Sequence, residues 1–429
     1  MTDNELVDVL KAALKDGLHI RDDLYLFNTQ VAWDLTNQAH VQEPQRMAVF
    51  AALEAHPQIQ PILGMYLNRG LNGQPLTREN LGDWLLTRAM KNGPEAAVAQ
   101  LRPFVDSSHC DLEEYLAFSG LGVSAPTTLP GWGELIPMSE VPESALSISL
   151  TDPEWSYFGR DVKGHVHRRT VQTLYQFGTN TLHANPHVAM AALRLRHKRT
   201  PAFLSTPSDF PTSLEPLLEI LLVLAAATST AIFPVAHWVA PTPTTPLWKY
   251  FSWRQWSHLN ALREFKTYEG NENRIISAIT NWAKIPDSMK HKLRIPLDRL
   301  NRALAASSAI DCAIDLGLAL EALLLSDLEP NDQISLAFRL RGAWLLGKNP
   351  TERQSYLQKF NAIYTCRSKA VHRGTLPPKN FSFGDVKVSP GEFMVNTARQ
   401  LAASAVLKVI DRGSFPDWNS LLVGVEDGG

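Results

Sequence analysis

The residues best suited to chemistry lie in one run near the end of the chain, Tyr364-Thr365-Cys366-Arg367-Ser368-Lys369-Ala370-Val371-His372-Arg373-Gly374. An imidazole exchanges protons near neutrality, and a guanidinium presents a planar fork of donors to an anion. On a helical wheel Phe360, Tyr364, Arg367 and Val371 share one stripe with Ile363 beside it, so Arg367 is expected where a buried residue belongs. A charge there needs a partner, because an unpaired buried cation is costly. Ser368 and His372 stand four apart on one face, which lets the hydroxyl one turn back orient the imidazole. Gly374 stops the helix and leaves His372 in its last turn. Taken alone, the pair reads as capping and solvating a helix end.

The Arg-x4-His pattern, with Tyr364 before it and Arg373-Gly374 after it, resembles the HEPN superfamily. The wording Tyr-x-x-Arg-Ser-x-x-Val-His-x-Gly is similar to its Apea-like branch. So are Asp311-x3-Asp315 with Leu320-Glu321-x-Leu323, and Phe338-Arg339-Leu340-Arg341-x-Ala343. The resemblance covers Leu293 to Arg412, under a third of the chain. It implies a metal-independent endoribonuclease without cofactor, acting on RNA at a site between two protomers of a homodimer or higher homo-oligomer. His372 is then general base or acid, Arg367 the transition-state stabiliser, and Ser368 an orienting or phosphate-contacting group, with Tyr364 and Glu321 in support. The chemistry agrees: a base near neutrality takes the 2′-hydroxyl proton and a bidentate cation meets the charge growing on phosphorus. Five helical residues set Arg367 and His372 about 140° apart around the axis and about 7.5 Å along it, so two copies across a two-fold converge where one helix cannot. The family often carries Asn, Asp or His directly after the Arg. Ser368 is a weaker orienting group, which implies slow turnover or drift toward binding. Proteins resembling this arrangement commonly serve bacterial defence against phage or act as toxins, released by a phage-derived or small-molecule trigger. The rival expectation is a non-catalytic HEPN-like module for binding or dimerisation.

A second cluster is electrostatic. Between Arg160 and Thr200 the chain carries Arg160, Lys163, Arg168, Arg169, Arg194, Arg196, Lys198 and Arg199 against the single acid Asp161, eight minus one or net +7, in a chain whose total is −2. Arg168, Arg169, Arg194, Arg196, Lys198 and Arg199 are candidates to hold a nucleic-acid backbone; the alternative is a solvated face balanced by acids elsewhere. His165-x-His167 has no third ligand at fixed spacing, and His183, His187 and His197 are only loosely placed, so no metal is expected. Trp248, Tyr250, Phe251, Trp253 and Trp256, interleaved with Lys249 and Arg254, suit either base stacking or a core. Glycine-rich phosphate loops, Gly-x-Ser-x-Gly and His-Glu-x-x-His are absent from the sequence, which leaves nucleotide hydrolysis, acyl transfer and zinc proteolysis without support.

The elements that must position these residues follow from periodicity. At 429 residues and 47.7 kDa the chain is long enough for two to three domains. A 45% hydrophobic share excludes wholesale disorder. Cys110, Cys312 and Cys366 are too scattered for a disulfide framework or a thiolate zinc site, and a cytoplasmic location is expected. The overall expectation is a mainly α protein. A helical N-terminal region spans 1–123, a mixed α+β middle region, sensing or RNA-binding, spans 143–285, and a HEPN-like antiparallel helical bundle spans 290–413. Thr2 and Glu5 have capping-box spacing ahead of Leu6, Leu10, Ala13 and Leu14, with Gly17 as a stop, and further helices are expected at Gln45–Ala55, Thr77–Lys91 and Glu95–Leu101. A Pro/Gly-rich stretch, Ser124–Pro142, is where a boundary belongs, and Ser144–Leu150 and Thr170–Phe177 read as strands. The bundle helices are Ile295–Ala306, Ala309–Leu325, Ser335–Leu346, Thr351–Val371 and Pro390–Ile410. Ile220–Trp248 is uncharged, yet Pro234, Pro241, Pro243 and Pro246 break it; a buried helix from Leu217 to Phe233 followed by a proline-rich loop is expected, not a membrane span.

Overall fold

The computed structural model describes residues 1–14, 43–68, 75–141, 150, 156–160, 166–170, 189–206, 214–241, 253–255, 266–267, 272–328 and 333–424. It is mainly helical with a mixed sheet region. The chain divides into two compact units that interleave in sequence: 1–117, 136–212 and 235–261 form the first, and 118–135, 213–234 and 262–429 the second.

In the first unit, helices Asp3–Ala13 (α1), Glu43–Glu54 (α2), Arg78–Asn92 (α3) and Pro94–Val105 (α4) share one core with Leu6, Leu10, Leu53, Leu85 and Leu101 at its centre. The capping box of α1 is present: Thr2 N–H donates to Glu5 Oε2 at 2.6 Å while Thr2 Oγ1 accepts from Glu5 N–H. Strands Cys110–Ser119 (β1), Ala191–Arg199 (β2), Phe233–Pro241 (β3) and Trp253–Gln255 (β4) are neighbours in the order β4-β3-β1-β2. Alternation along β1 sends Cys110 and Leu112 into the helical core, and Tyr115 and Ala117 into a second cluster with Ile136, Ala192, Val235 and Trp238.

Two expectations are corrected here. The helical region 1–123 ends in strand β1, although Leu, Glu and Ala favour helix. Burial on both faces between two neighbouring strands overrides that local preference. The expected helix Leu217–Phe233 is Glu215–Thr228 (α5), ended by Ser229 in the left-handed region at φ 52°, and the segment after it is strand β3 in place of a proline-rich loop. Pro234 and Pro241 sit near or at the strand's ends, where a missing N–H is tolerated. Residues 144–149 and 171–177 of the two expected strands lie outside the described residues, as do Trp248, Tyr250, Phe251 and Trp256. Among the described residues no helix is long and apolar enough to cross a membrane.

The second unit is a helical bundle. Glu272–Lys284 (α6), Asp287–Ala305 (α7), Ala309–Leu324 (α8), Ile334–Leu346 (α9) and Pro350–Arg373 (α10) lead, through Pro390–Glu392 and a π-helical turn Phe393–Ala398, into Arg399–Arg412 (α11), with Trp418–Leu422 (α12) last. Helix α7 packs on α8, and α10 packs on both α8 and α9. Leu293, Leu297, Leu316, Leu320, Phe338, Phe360, Ile363 and Val406 are wholly buried. The expected bundle helices agree with these spans, except that α7 begins eight residues before Ile295. Pro296 does not break it, because the buried row Leu293, Leu297 and Leu300 carries the helix past the proline. The Pro/Gly-rich stretch is a hairpin, Thr127 opposite Leu135 and Leu129 opposite Gly133, turning through Gly131 at φ 80°.

One buried polar contact closes α7 onto the segment after α5. Asn301 Oδ1 accepts from Ile232 N–H at 2.9 Å, and its Nδ2 donates to Ile232 C=O at 2.8 Å, so one amide completes both backbone groups. Asn301→Ala strands both, with an expected loss of about 2 kcal/mol in urea unfolding of this unit. Asn301→Asp, which keeps an acceptor but no donor, should also destabilise; a neutral result for both would refute this clamp.

Candidate functional site

Helix α10 carries the Arg-x4-His run, and both of its ends are specified locally. Asn349 Oδ1 accepts from Glu352 N–H at 2.9 Å, Pro350 opens the first turn, and Gly374 ends the helix at φ 62° with its N–H on Ala370 C=O. Arg367 lies against α8, its NH2 2.8 Å from Glu321 Oε2, with the two side chains 23% and 21% exposed. Among the described residues its buried Nε has no hydrogen-bond partner. Burial pushes the Glu321 carboxyl above the usual carboxylate range, against the opposing pull of the Arg367 charge and hydrogen bond. The pair meets the expectation that a charge at 367 needs a partner.

His372 is exposed in the last turn of α10. The buried stripe expected through Val371 does not reach that far. Phe360 is wholly buried and Tyr364 half-buried, but Val371 is 48% exposed. The buried face of α10 runs through Ile363, Cys366 and Ala370, and the stripe Tyr364, Arg367 and Val371 lies at its edge, so Val371 faces solvent beside the histidine. Ser368 is half-buried, and among the described residues no hydrogen bond joins it to His372. The half-buried Tyr364 ring meets Phe338 at 5.5 Å, tilted by 55°, and Phe338 also meets Phe360 at 5.9 Å, so the tyrosine ring packs on the edge of the bundle core. Cys366 is wholly buried, and burial pushes its thiol up to about 12, which makes it inert at neutral pH.

The basic candidates separate. The side chains of Arg168 and Arg169 lie outside the described residues; their backbone forms part of a hairpin, opposite Phe158 and Tyr157. Strand β2 alternates so that Arg194, Arg196 and Lys198 share one face and Arg199 the other. Arg196 and Lys198 are exposed, and Arg196 Nε reaches Glu113 Oε1 at 3.3 Å.

Sequence reasoning missed a cluster in the first unit. Glu114 on β1 stands between His237 on β3 and His197 on β2, its Oε1 2.6 Å from His237 Nε2 and its Oε2 2.8 Å from His197 Nε2. Glu114 and His237 are each 3% exposed. Burial alone would raise the Glu114 carboxyl, but the hydrogen bonds and charges of the two imidazoles outweigh it and hold the group at about 2. Only the acids Glu113-Glu114, set just before the apolar run Tyr115-Leu116-Ala117-Phe118, hinted at it. Among the described residues no group of three His, Cys, Asp or Glu side chains is placed to hold a metal ion. No family model, no curated protein and no solved structure matches this chain.

Two outcomes follow from these geometries. Glu321→Ala and Arg367→Ala should each lower stability, with the double variant falling short of their sum by about 1 kcal/mol in a chemical-denaturation cycle; strict additivity would show the contact to be idle. Glu114 titrates below its ordinary 4.5 when folded, so its contribution is complete above that pH and is lost as pH falls through about 2. Glu114→Gln should therefore melt earlier at neutral pH, by the equivalent of about 1–3 kcal/mol, and show a shallower loss of melting temperature on acidification than the parent protein.

Proposed function

We propose that this protein is a metal-independent endoribonuclease of HEPN type, cutting RNA at a site completed by two copies of α10, and that it acts as a regulated defence or toxin effector in the cytoplasm. The observation that carries the reading is the disposition of one helix end: Arg367 is anchored on Glu321 while His372, five residues on, stands in solvent. In this mechanism the His372 imidazole takes the proton of a ribose 2′-hydroxyl. The 2′-oxygen bonds to phosphorus, the P–O5′ bond breaks, and a protonated His372 of the second copy returns a proton to the departing 5′-oxygen. Arg367 stabilises the added negative charge on the phosphoryl oxygens. The exposed Val371 beside His372 supports a second copy there, since it offers that copy an apolar contact. The basic face of β2, Arg194, Arg196 and Lys198, suits the RNA backbone. The role in defence, and the phage-derived or small-molecule trigger that goes with it, rest on the resemblance of the motif.

A rival reading has its own support. Glu321 already neutralises Arg367, and Ser368 does not orient His372, which suits a HEPN-like module that binds or dimerises without cleaving. Expression of the parent chain should degrade cellular RNA and arrest growth. His372→Ala and Arg367→Ala should each cut the cleavage rate by about 10²-fold or more, and EDTA should leave the parent rate unchanged. Equal RNA integrity in all three strains, with and without phage challenge, would decide for the binding module, and loss of cleavage with chelator would refute the metal-free step.

A further inference from the structure

Helix α8 carries a glycine at its middle, Gly317, flanked by the strong helix formers Leu316, Leu318, Ala319, Leu320 and Glu321. An interior glycine costs about 1 kcal/mol relative to alanine, and no left-handed backbone requires one here. The reason lies across the helix seam. A Cβ at 317 would stand 2.1 Å from Arg367 Cγ, 2.9 Å from its Cβ and 3.3 Å from its Cδ. These are the atoms nearest the α10 backbone, so the side chain cannot swing its tip away; it must change rotamer or the helices must part. Gly317 is also one turn before Glu321, so the stem of Arg367 crosses α8 at the glycine and its NH2 arrives at the carboxylate. Helix α10 makes a second such crossing two turns earlier, where the Phe360 ring fills the place of a Cβ at Gly342, 2.5 Å away. That contact is with a ring and shapes the core, whereas the one at Gly317 is with the stem of a charged side chain.

We infer that Gly317 is a positioning residue: its missing side chain is the notch that directs the Arg367 guanidinium to Glu321, and any larger residue there releases Arg367 from that pose. The placement of Arg367 stands on geometry alone; its consequence for RNA cleavage rests on the proposed function.

The test is a thermal and kinetic cycle on the full chain. Gly317→Ala should lower the melting midpoint by about 5 °C in the parent background, because a well-packed seam is overfilled. In the Arg367→Ala background Cγ and Cδ are gone and only the 2.9 Å approach of Cβ remains, so a large part of that loss should disappear. If Gly317→Ala alone fails to fold, recovery of folding by Arg367→Ala makes the same point. An equal loss in both backgrounds, or a double variant that also fails to fold, overturns the inference by showing that Gly317 admits the helix backbone. In RNA cleavage, Gly317→Ala should lower the rate at saturating RNA while leaving RNA affinity within about twofold, and should add nothing to Arg367→Ala. Absence of cleavage by the parent chain sinks the nuclease reading yet leaves the melting cycle to decide the notch; additive rate losses with a normal melting cycle sink only the catalytic consequence.

Discussion

A guanidinium placed in the seam between two packed helices constrains everything around it in the second unit. Desolvating a cation is costly, and the bundle offsets that cost with a carboxylate on the facing helix and with a gap in that helix for the side chain to cross. Neither device works without the other. Glu321 is useful only if the stem of Arg367 can lie flat on α8, and Gly317 is useful only if something receives the head group. The neighbouring positions on α10 are ordinary packing, Ile363 and Cys366 wholly buried and Tyr364 tilted against Phe338. They fix the rotation of the helix, and that rotation sends His372 outward.

The first unit buries a carboxylate by a different route. Glu114 and Glu321 are both pushed upward by desolvation, yet Glu114 is held at about 2 while Glu321 stays raised. The difference is the number of donors. Each oxygen of Glu114 has an imidazole of its own, whereas Glu321 has one hydrogen bond, to a partly exposed cation. The Glu114 ladder ties three neighbouring strands together and belongs to the architecture. The Arg367 pair is less tightly satisfied, since among the described residues its buried Nε has no acceptor, and such slack suits the exchange of partners that the proposed nuclease requires.

Exchange of partners is also the point on which the two functional readings part. In the nuclease, a phosphate draws on the guanidinium that Glu321 now holds, and His372 meets it from a second copy. In the binding module the ion pair is the end state and the exposed Val371–His372 edge is only a contact surface. The two readings share one fold and one set of neighbours and differ only in what happens when RNA arrives.

What could be read directly from the residues is whatever depends on near neighbours. The capping box at Thr2 and Glu5, the stop at Gly374 and the helical stripes of α8 to α11 involve partners within a turn or two, and their spans agree with the structure. The roughly 140° between Arg367 and His372 is likewise helical geometry. Propensity misread β1 and the segment after α5, since strand pairing with distant segments overrode local preference. The burial of Val371 was misjudged because the buried face of α10 centres on Ile363, Cys366 and Ala370, a rotation about the helix axis that only packing against other elements sets. Arg367 meets Glu321 across 46 residues, Glu114 meets His197 and His237 across 83 and 123, and Gly317 admits Arg367 from another helix. Contacts at such separations leave no periodic trace in a single chain, because only the packing of whole elements decides which side chains meet.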